Sequence, residues 1–160
     1  MKPPQAPYRV SLLVIPDQSP YISFAPGTDH GDAAVADAQG WLERSFSIAS
    51  PVEEMVKRSG IPERSFKRRF TQATGIAPLD YVQRLRVEFA KRRLEQSDAP
   101  IDEISWAVGY EDPAFFRRLF ARVTGVPPGV YRRRYRVPGP AARAALSARR
   151  EAAHRLLAGD

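Results

Sequence analysis

Phe66-Lys-Arg-Arg-Phe-Thr-Gln-Ala-Thr-Gly75 and, 50 residues on, Phe116-Arg-Arg-Leu-Phe-Ala-Arg-Val-Thr-Gly125 are two copies of one pattern. Each sets two phenylalanines at i and i+4, which share one face of a helix, and basic residues between them that point elsewhere. Each closes on Thr-Gly, the glycine suiting the left-handed backbone that stops a helix. The same shift pairs Pro78 with Pro128, Tyr81 with Tyr131, Arg84 with Arg134 and Arg86 with Arg136. Upstream, an offset of 49 matches Val52, Met55 and Gly60 to Ile101, Ile104 and Gly109, so the second copy has a turn one residue longer. A period near 50 can also signal a stacked array, but such arrays need about three or more units. Here there are two. In the first copy Ser50 caps a helix with Pro51 at its first position and Glu53-Glu54 in the turn where the dipole favours them. Gly60 ends that helix, and Ile61-Pro62-Glu63 opens the next, spanning about 62–73. Helix, glycine-centred turn, helix is a weak signal once and a strong one repeated. The predicted fold is all-α, with two helix-turn-helix subdomains.

Between the copies, Pro78 to Gln96 carries Leu79, Val82, Leu85 or Arg86, Phe89 and Leu94 at helical spacing. At about 1.5 Å per residue this linker helix is a rod of about 28 Å. An earlier amphipathic helix is expected over 32–46, capped by Asp32 and carrying Ala33, Val35 or Ala36, Ala38, Trp41, Leu42 and Phe46 on one stripe. Residues 1–31 are Pro-rich, and their short apolar run, Val10-Ser-Leu-Leu-Val-Ile15, has no partner strand in a helical chain. The expected organisation is a linker or remnant over 1–31, one subdomain over 32–77, the linker helix over 78–96, a second subdomain over 97–136, and a basic, helix-compatible tail over 137–160.

The charge follows the repeat. The chain carries 25 Lys+Arg and 18 Asp+Glu, a net charge of +7 over 160 residues. Residues 1–56 are net −4, residues 57–136 net +9 with arginine predominating, and residues 137–160 net +2. Arginine forks match both phosphate and the acceptor edge of guanine. Charge by itself suits nucleic acid and an anionic membrane equally, or a merely solvated surface. No cysteine is present and there are two histidines, His30 and His154, near opposite ends. Thiolate chemistry, disulfides and Cys-ligated zinc are therefore excluded, and a His-rich metal site or triad is disfavoured. The chain also lacks a Gly-rich phosphate loop, an apolar run of about 20 residues and a signal-peptide core. A soluble, cytoplasmic, non-enzymatic protein is expected, with no cofactor, metal or catalytic residue. His30 and His154 are expected to be solvated.

The segment from Asp32 to Tyr135 resembles the DNA-binding domain of the AraC/XylS family of bacterial transcription regulators. The residues that carry the resemblance are Ile101-Asp-Glu-Ile-Ser-Trp-Ala-Val-Gly-Tyr110, Asp112-Pro-Ala-Phe-Phe-Arg-Arg-Leu-Phe120 and Thr124-Gly-Val-Pro-Pro-Gly-Val-Tyr131-Arg-Arg. It implies a seven-helix, two-lobed fold in which one chain reads two successive major grooves of double-stranded operator DNA. It implies base contacts from Arg64, Lys67 and Arg68 on the first recognition helix, and from Ala114, Phe115, Arg117 and Arg118 on the second. Phe115 departs from the polar residue often found at its position. Tyr131, Arg132, Arg133, Arg134 and Arg136 are expected at phosphates, which set register without reading sequence. Asp102 and Glu103 are most simply first-turn charges, and in the family that helix can also face RNA polymerase. Gln18-Ser-Pro-Tyr21 and His30-Gly-Asp32 resemble the linker of the GlxA-like branch, whose amidotransferase-like sensor domain does not fit in this length. A fragment, a stand-alone form or a truncated product is thus expected, competent on DNA as a monomer, with its oligomeric state open. DNA alkylation-repair relatives use a cysteine that this chain lacks. The competing reading is a basic interaction or membrane-surface module, built on the tail, without sequence-specific reading.

Overall fold

The computed structural model describes Phe24 and residues 27–157; the apolar run at 10–15 and the 18–21 motif lie outside the described residues. Eight helices follow one another among those residues, with no strand: α1 (Ala33–Ser45), α2 (Pro51–Ser59), α3 (Glu63–Thr74), α4 (Pro78–Gln96), α5 (Ile101–Ala107), α6 (Pro113–Thr124), α7 (Pro128–Tyr135) and α8 (Pro140–Leu157). Local chemistry accounts for most of the ends. Asp32 caps α1 by accepting from the Val35 N–H at 3.2 Å, and Asp112 caps α6 by accepting from the Ala114 N–H at 2.9 Å. Ser50 departs from expectation. It stands at the start of α2, but its hydroxyl makes no capping bond.

The repeat survives in atomic detail. Thr74 Oγ1 donates to Phe70 O at 2.7 Å, and Thr124 Oγ1 to Phe120 O at 2.8 Å. Each glycine that follows takes a positive φ, +74° at Gly75 and +82° at Gly125. The tyrosine of each copy then meets the second phenylalanine edge-on: Tyr81 on Phe70 at 5.1 Å, Tyr131 on Phe120 at 5.5 Å. Phe66, Phe70, Phe116 and Phe120 are all fully buried, as their spacing predicts.

Two hydrophobic cores result. The first gathers Val35, Leu42, Met55, Phe66, Phe70, Tyr81, Val82 and Leu85. The second gathers Val87, Ala90, Leu94, Ile104, Phe116, Leu119, Phe120 and Tyr131. Helix α4 serves both, giving its first half to one and its second half to the other. Phe46 and Phe89, stacked with ring centroids 3.9 Å apart, pack against both cores and close the seam.

Helix α4 differs from the expected one-sided stripe. Leu79 is 59% exposed, while Arg86, Glu88 and Lys91 are buried, the last two as an ion pair at 2.7 Å. Asp80, Arg84, Arg92 and Arg93 of α4 stay exposed, but a helix clasped from several sides encloses other ionic groups, and these must find partners inside. His30 also departs from expectation. It is half-buried, with its Nε2 2.8 Å from Gln39 Oε1 and its Nδ1 accepting from the Asp32 N–H. Gln39 Nε2 in turn donates to the Tyr81 hydroxyl at 3.1 Å, and burial pushes that phenol up to about 12. His154 is exposed on α8, as are all the side chains from Pro140 to Arg155.

Candidate nucleic-acid interface

Helices α3 and α6 begin, in each copy, just after a turn, and each turns its phenylalanines inward. What faces out follows from that. On α3 the exposed side chains include Arg64, Lys67 and Arg68, with Lys67 ion-paired to Glu63 one turn earlier. On α6 they include Ala114, Phe115, Arg117 and Arg118. Every residue expected to contact bases is therefore at the surface, on one of two matching helices. Arg117 is engaged with Asp102 of α5, and Phe115, 40% exposed, leans its ring on Tyr110 with centroids 5.5 Å apart. Exposed guanidiniums on the outer face of a helix can donate in pairs to O6 and N7 of guanine.

Arg69, next to this set, looks in the sequence like part of the same basic face. It instead grips Asp32, its Nε and Nη2 donating to the two carboxylate oxygens at 2.9 Å each. The contact ties α3 to the cap of α1. The Arg69 hydrogen bonds, aided by the Val35 and Ala34 amides, outweigh desolvation and hold the Asp32 carboxyl below its ordinary 3.8.

The five residues expected at phosphates divide. Tyr131 is a correction. It is 0% exposed, packed on Phe120 and Tyr135, and its hydroxyl donates to Glu95 Oε1 at 2.6 Å. A ring that completes the second core cannot reach a phosphate without unfolding α7. Arg132 is half-buried and donates to the Ala99 carbonyl, while Arg136 is ion-paired with Asp98. Arg133 and Arg134 remain exposed. Arg122, not singled out by the sequence, is exposed on α6 and donates to Gln83 of α4 at 3.1 Å.

Arg86 was the other residue missed. It sits 5% exposed in the middle of α4, with its guanidinium 4.7 Å over the Tyr110 ring. The sequence signal was its place within an apolar stripe, where spacing alone could not choose between Leu85 and Arg86. Among the described residues, no group of three or more His, Cys, Asp or Glu side chains is arranged to hold a metal ion, and no helix is long and apolar enough to cross a membrane.

Two helix-turn-helix units on one connecting helix, each with an exposed basic second helix, define the chain as a tandem helix-turn-helix domain. The family described as a helix-turn-helix domain matches residues 55–134, half of the chain, and the chain belongs to it, in its AraC type. A putative AraC-like transcription regulator from Streptomyces lividans is 32% identical over 107 residues, covering 67% of this chain and 35% of that protein. The HTH-type transcriptional activator RhaS of Escherichia fergusonii is 32% identical over 106 residues, covering 66% and 38%. The chain thus spans about a third of the length of the curated relatives it matches. Among solved structures, the DNA-binding domain of the global transcriptional factor AdpA, in complex with a target DNA, superposes with a TM-score of 0.62 at 34% identity. That match covers 65% of this chain and 94% of the other. The C-terminal domain of AraT, a response regulator from Geobacillus stearothermophilus, gives 0.64 at 26% identity, covering 66% and 88%.

Proposed function

We propose that the chain is a sequence-specific double-stranded DNA-binding transcription regulator, with α3 and α6 entering successive major grooves. The observation that carries this reading is the pair of equivalent helices, each exposing arginines and burying phenylalanines, held on one connecting helix. The likeness to a solved domain bound to its target DNA supports it. So does length: the 19 residues of α4 make a rod of about 28 Å, close to the roughly 34–36 Å that separates half-sites one turn apart. In this reading the two lobes span 32–77 and 97–136, joined by 78–96. Arg64, Lys67, Arg68, Ala114, Phe115, Arg117 and Arg118 meet bases. Arg133 and Arg134 meet phosphates, with Arg132 and Arg136 joining, as Lys67 and Arg117 do at the bases, in competition with their present partners.

The reading extends to a bacterial cytoplasm, to DNA binding by a single copy, and to RNA polymerase as a second partner through the exposed Glu103 of α5. Binding is tested by selecting sites from random DNA and measuring affinity for the winner. The expected outcome is an asymmetric site of two half-elements one turn apart, bound in the range of about 10⁻⁸–10⁻¹¹ M and weakening steeply with salt. Equal affinity for the selected site and for random DNA overturns the reading.

A further inference from the structure

Arg86 is held by carbonyls from both ends of the fold. Its Nε donates to Phe46 O at 2.7 Å and its Nη2 to Ile48 O at 2.7 Å, both in the loop between α1 and α2. Its Nη1 donates to Gly109 O at 3.2 Å, in the turn between α5 and α6, and its plane lies over Tyr110 of that same turn. The two loops also touch directly. A Cβ on Gly109, whose φ is +95°, would stand 2.5 Å from Ser47 O and 2.9 Å from Arg86 Nη2.

We propose that Arg86 is the positioning residue that sets the separation and angle of the two reading helices, so that the chain accepts its two half-elements at one spacing only. The proposal rests on the DNA reading above. Its physical basis is the way the buried charge is met. The partners are carbonyl dipoles and an aromatic face, and the dipoles come from both loops. If the lobes part, the guanidinium keeps some partners and loses others, while remaining largely out of water. An incompletely satisfied buried charge is costly, so rocking of one lobe against the other is opposed. The fork meets its three carbonyls from three separate nitrogens fixed in one plane, whereas the three N–H groups of an ammonium share one nitrogen and need the carbonyls to converge on it. A lysine keeps the charge but presents a single flexible ammonium. The stacked rings of Phe46 and Phe89 add contact at the seam without directional bonds. Apolar contact of that kind tolerates sliding, whereas hydrogen bonds do not.

The consequence on DNA is geometric. Adding or removing one base pair between half-elements turns one relative to the other by about 34–36° and shifts it by about 3.4 Å. A rigid reader loses at least one half-site's base contacts on such a site, a loss of about tenfold or more. A loosened reader follows the displaced half-site.

The test uses the full chain and Arg86→Lys and Arg86→Met variants, with Gly109→Ala as an attack on the same joint from the other side. Affinity is measured for the selected site and for versions with one base pair added or removed. The wild type is expected to fall by about tenfold or more on both altered spacings. The variants should bind the optimal site more weakly but all three spacings within about threefold of one another, with base preferences inside each half-element unchanged. Gly109→Ala should blunt or move the optimum. An equally steep spacing profile in all proteins, with only a uniform affinity loss, overturns the proposal.

A second readout needs no DNA. The chain lacks cysteine, so Gln72→Cys and Val123→Cys, both exposed on α3 and α6, place two spin labels uniquely. Dipolar spectroscopy should give a narrow distance distribution in the otherwise wild-type chain and a broad or displaced one with Arg86→Lys. Identical distributions overturn the joint even if DNA binding is specific. Broadened distributions without any specific DNA binding leave the joint standing and remove the operator reading instead. Circular dichroism of the lysine variant, expected to retain the wild-type helix content, separates loosening from unfolding.

Discussion

Asp32 performs two jobs with one carboxylate, capping α1 and receiving the fork of Arg69 from α3. Because its folded pKa lies below the ordinary 3.8, the folded chain binds that proton more weakly than the unfolded chain does. The stabilisation is therefore complete above the ordinary value and disappears as pH falls through the lowered folded one. Asp32→Asn keeps a side-chain oxygen that caps as well as the carboxylate does but loses the charge that Arg69 grips, so it should be slightly less stable at pH 7 and should show a smaller further loss than the wild type on acidification. Thermal melts at pH 7 and pH 3 check this; parallel curves for both proteins count against it. Two exposed arginines test the division between reading and anchoring. Arg118→Ala should relax base preference within one half-element by about 1–3 kcal/mol of discrimination. Arg133→Ala should weaken all sequences alike and lower the salt slope by about one. Binding-site selection with each variant measures both effects, and indistinguishable preference profiles would sink the assignment.

At the scale of elements, the two Phe-x-x-x-Phe helices can be compared as an internal control. Phe70 and Phe120 occupy equivalent places, each fully buried and each met edge-on by its tyrosine. Truncation to alanine should cost about 3–5 kcal/mol at either position. In a chain whose cores share α4, either loss should lower a single cooperative transition rather than split it. Calorimetry of Phe70→Ala and Phe120→Ala checks this, and two separated transitions would show the cores to be independent. These helices were legible in the sequence because caps and i, i+4 stripes are local signals. The character of α4 was not. Leu79 lies at the rim of a groove of about 370 Å³ beside Val52, Tyr110 and Phe115, while Arg86, Glu88 and Lys91 lie inside. A helix packed from several sides has no single apolar stripe for spacing to reveal.

For the whole molecule, the net charge of +7 divides between side chains that face out and side chains that hold the fold together. Helix α8 belongs to neither core, and its described side chains are exposed. Deleting residues 138–160 should leave specific DNA affinity within about threefold, since only backbone phosphate contacts could be lost with it. Loss of all specific binding, or transfer of the chain's affinity to anionic vesicles that the truncated form ignores, would favour the basic-module reading instead.

The sequence by itself determined the duplication, the helix order and the four core phenylalanines, because a period of 50 and glycine-terminated amphipathic stripes are written in neighbouring residues. It also placed α3 and α6 as the exposed basic helices. Only the tertiary structure decided which basic and phenolic groups are free to meet a ligand. Arg69 is claimed by Asp32 at 37 residues' separation, Tyr131 by Glu95 at 36, and Arg86 by Phe46 at 40. Local spacing states which face of a helix a side chain occupies. What packs on that face comes from far along the chain, and that decides whether an arginine reads a partner or holds the reader together.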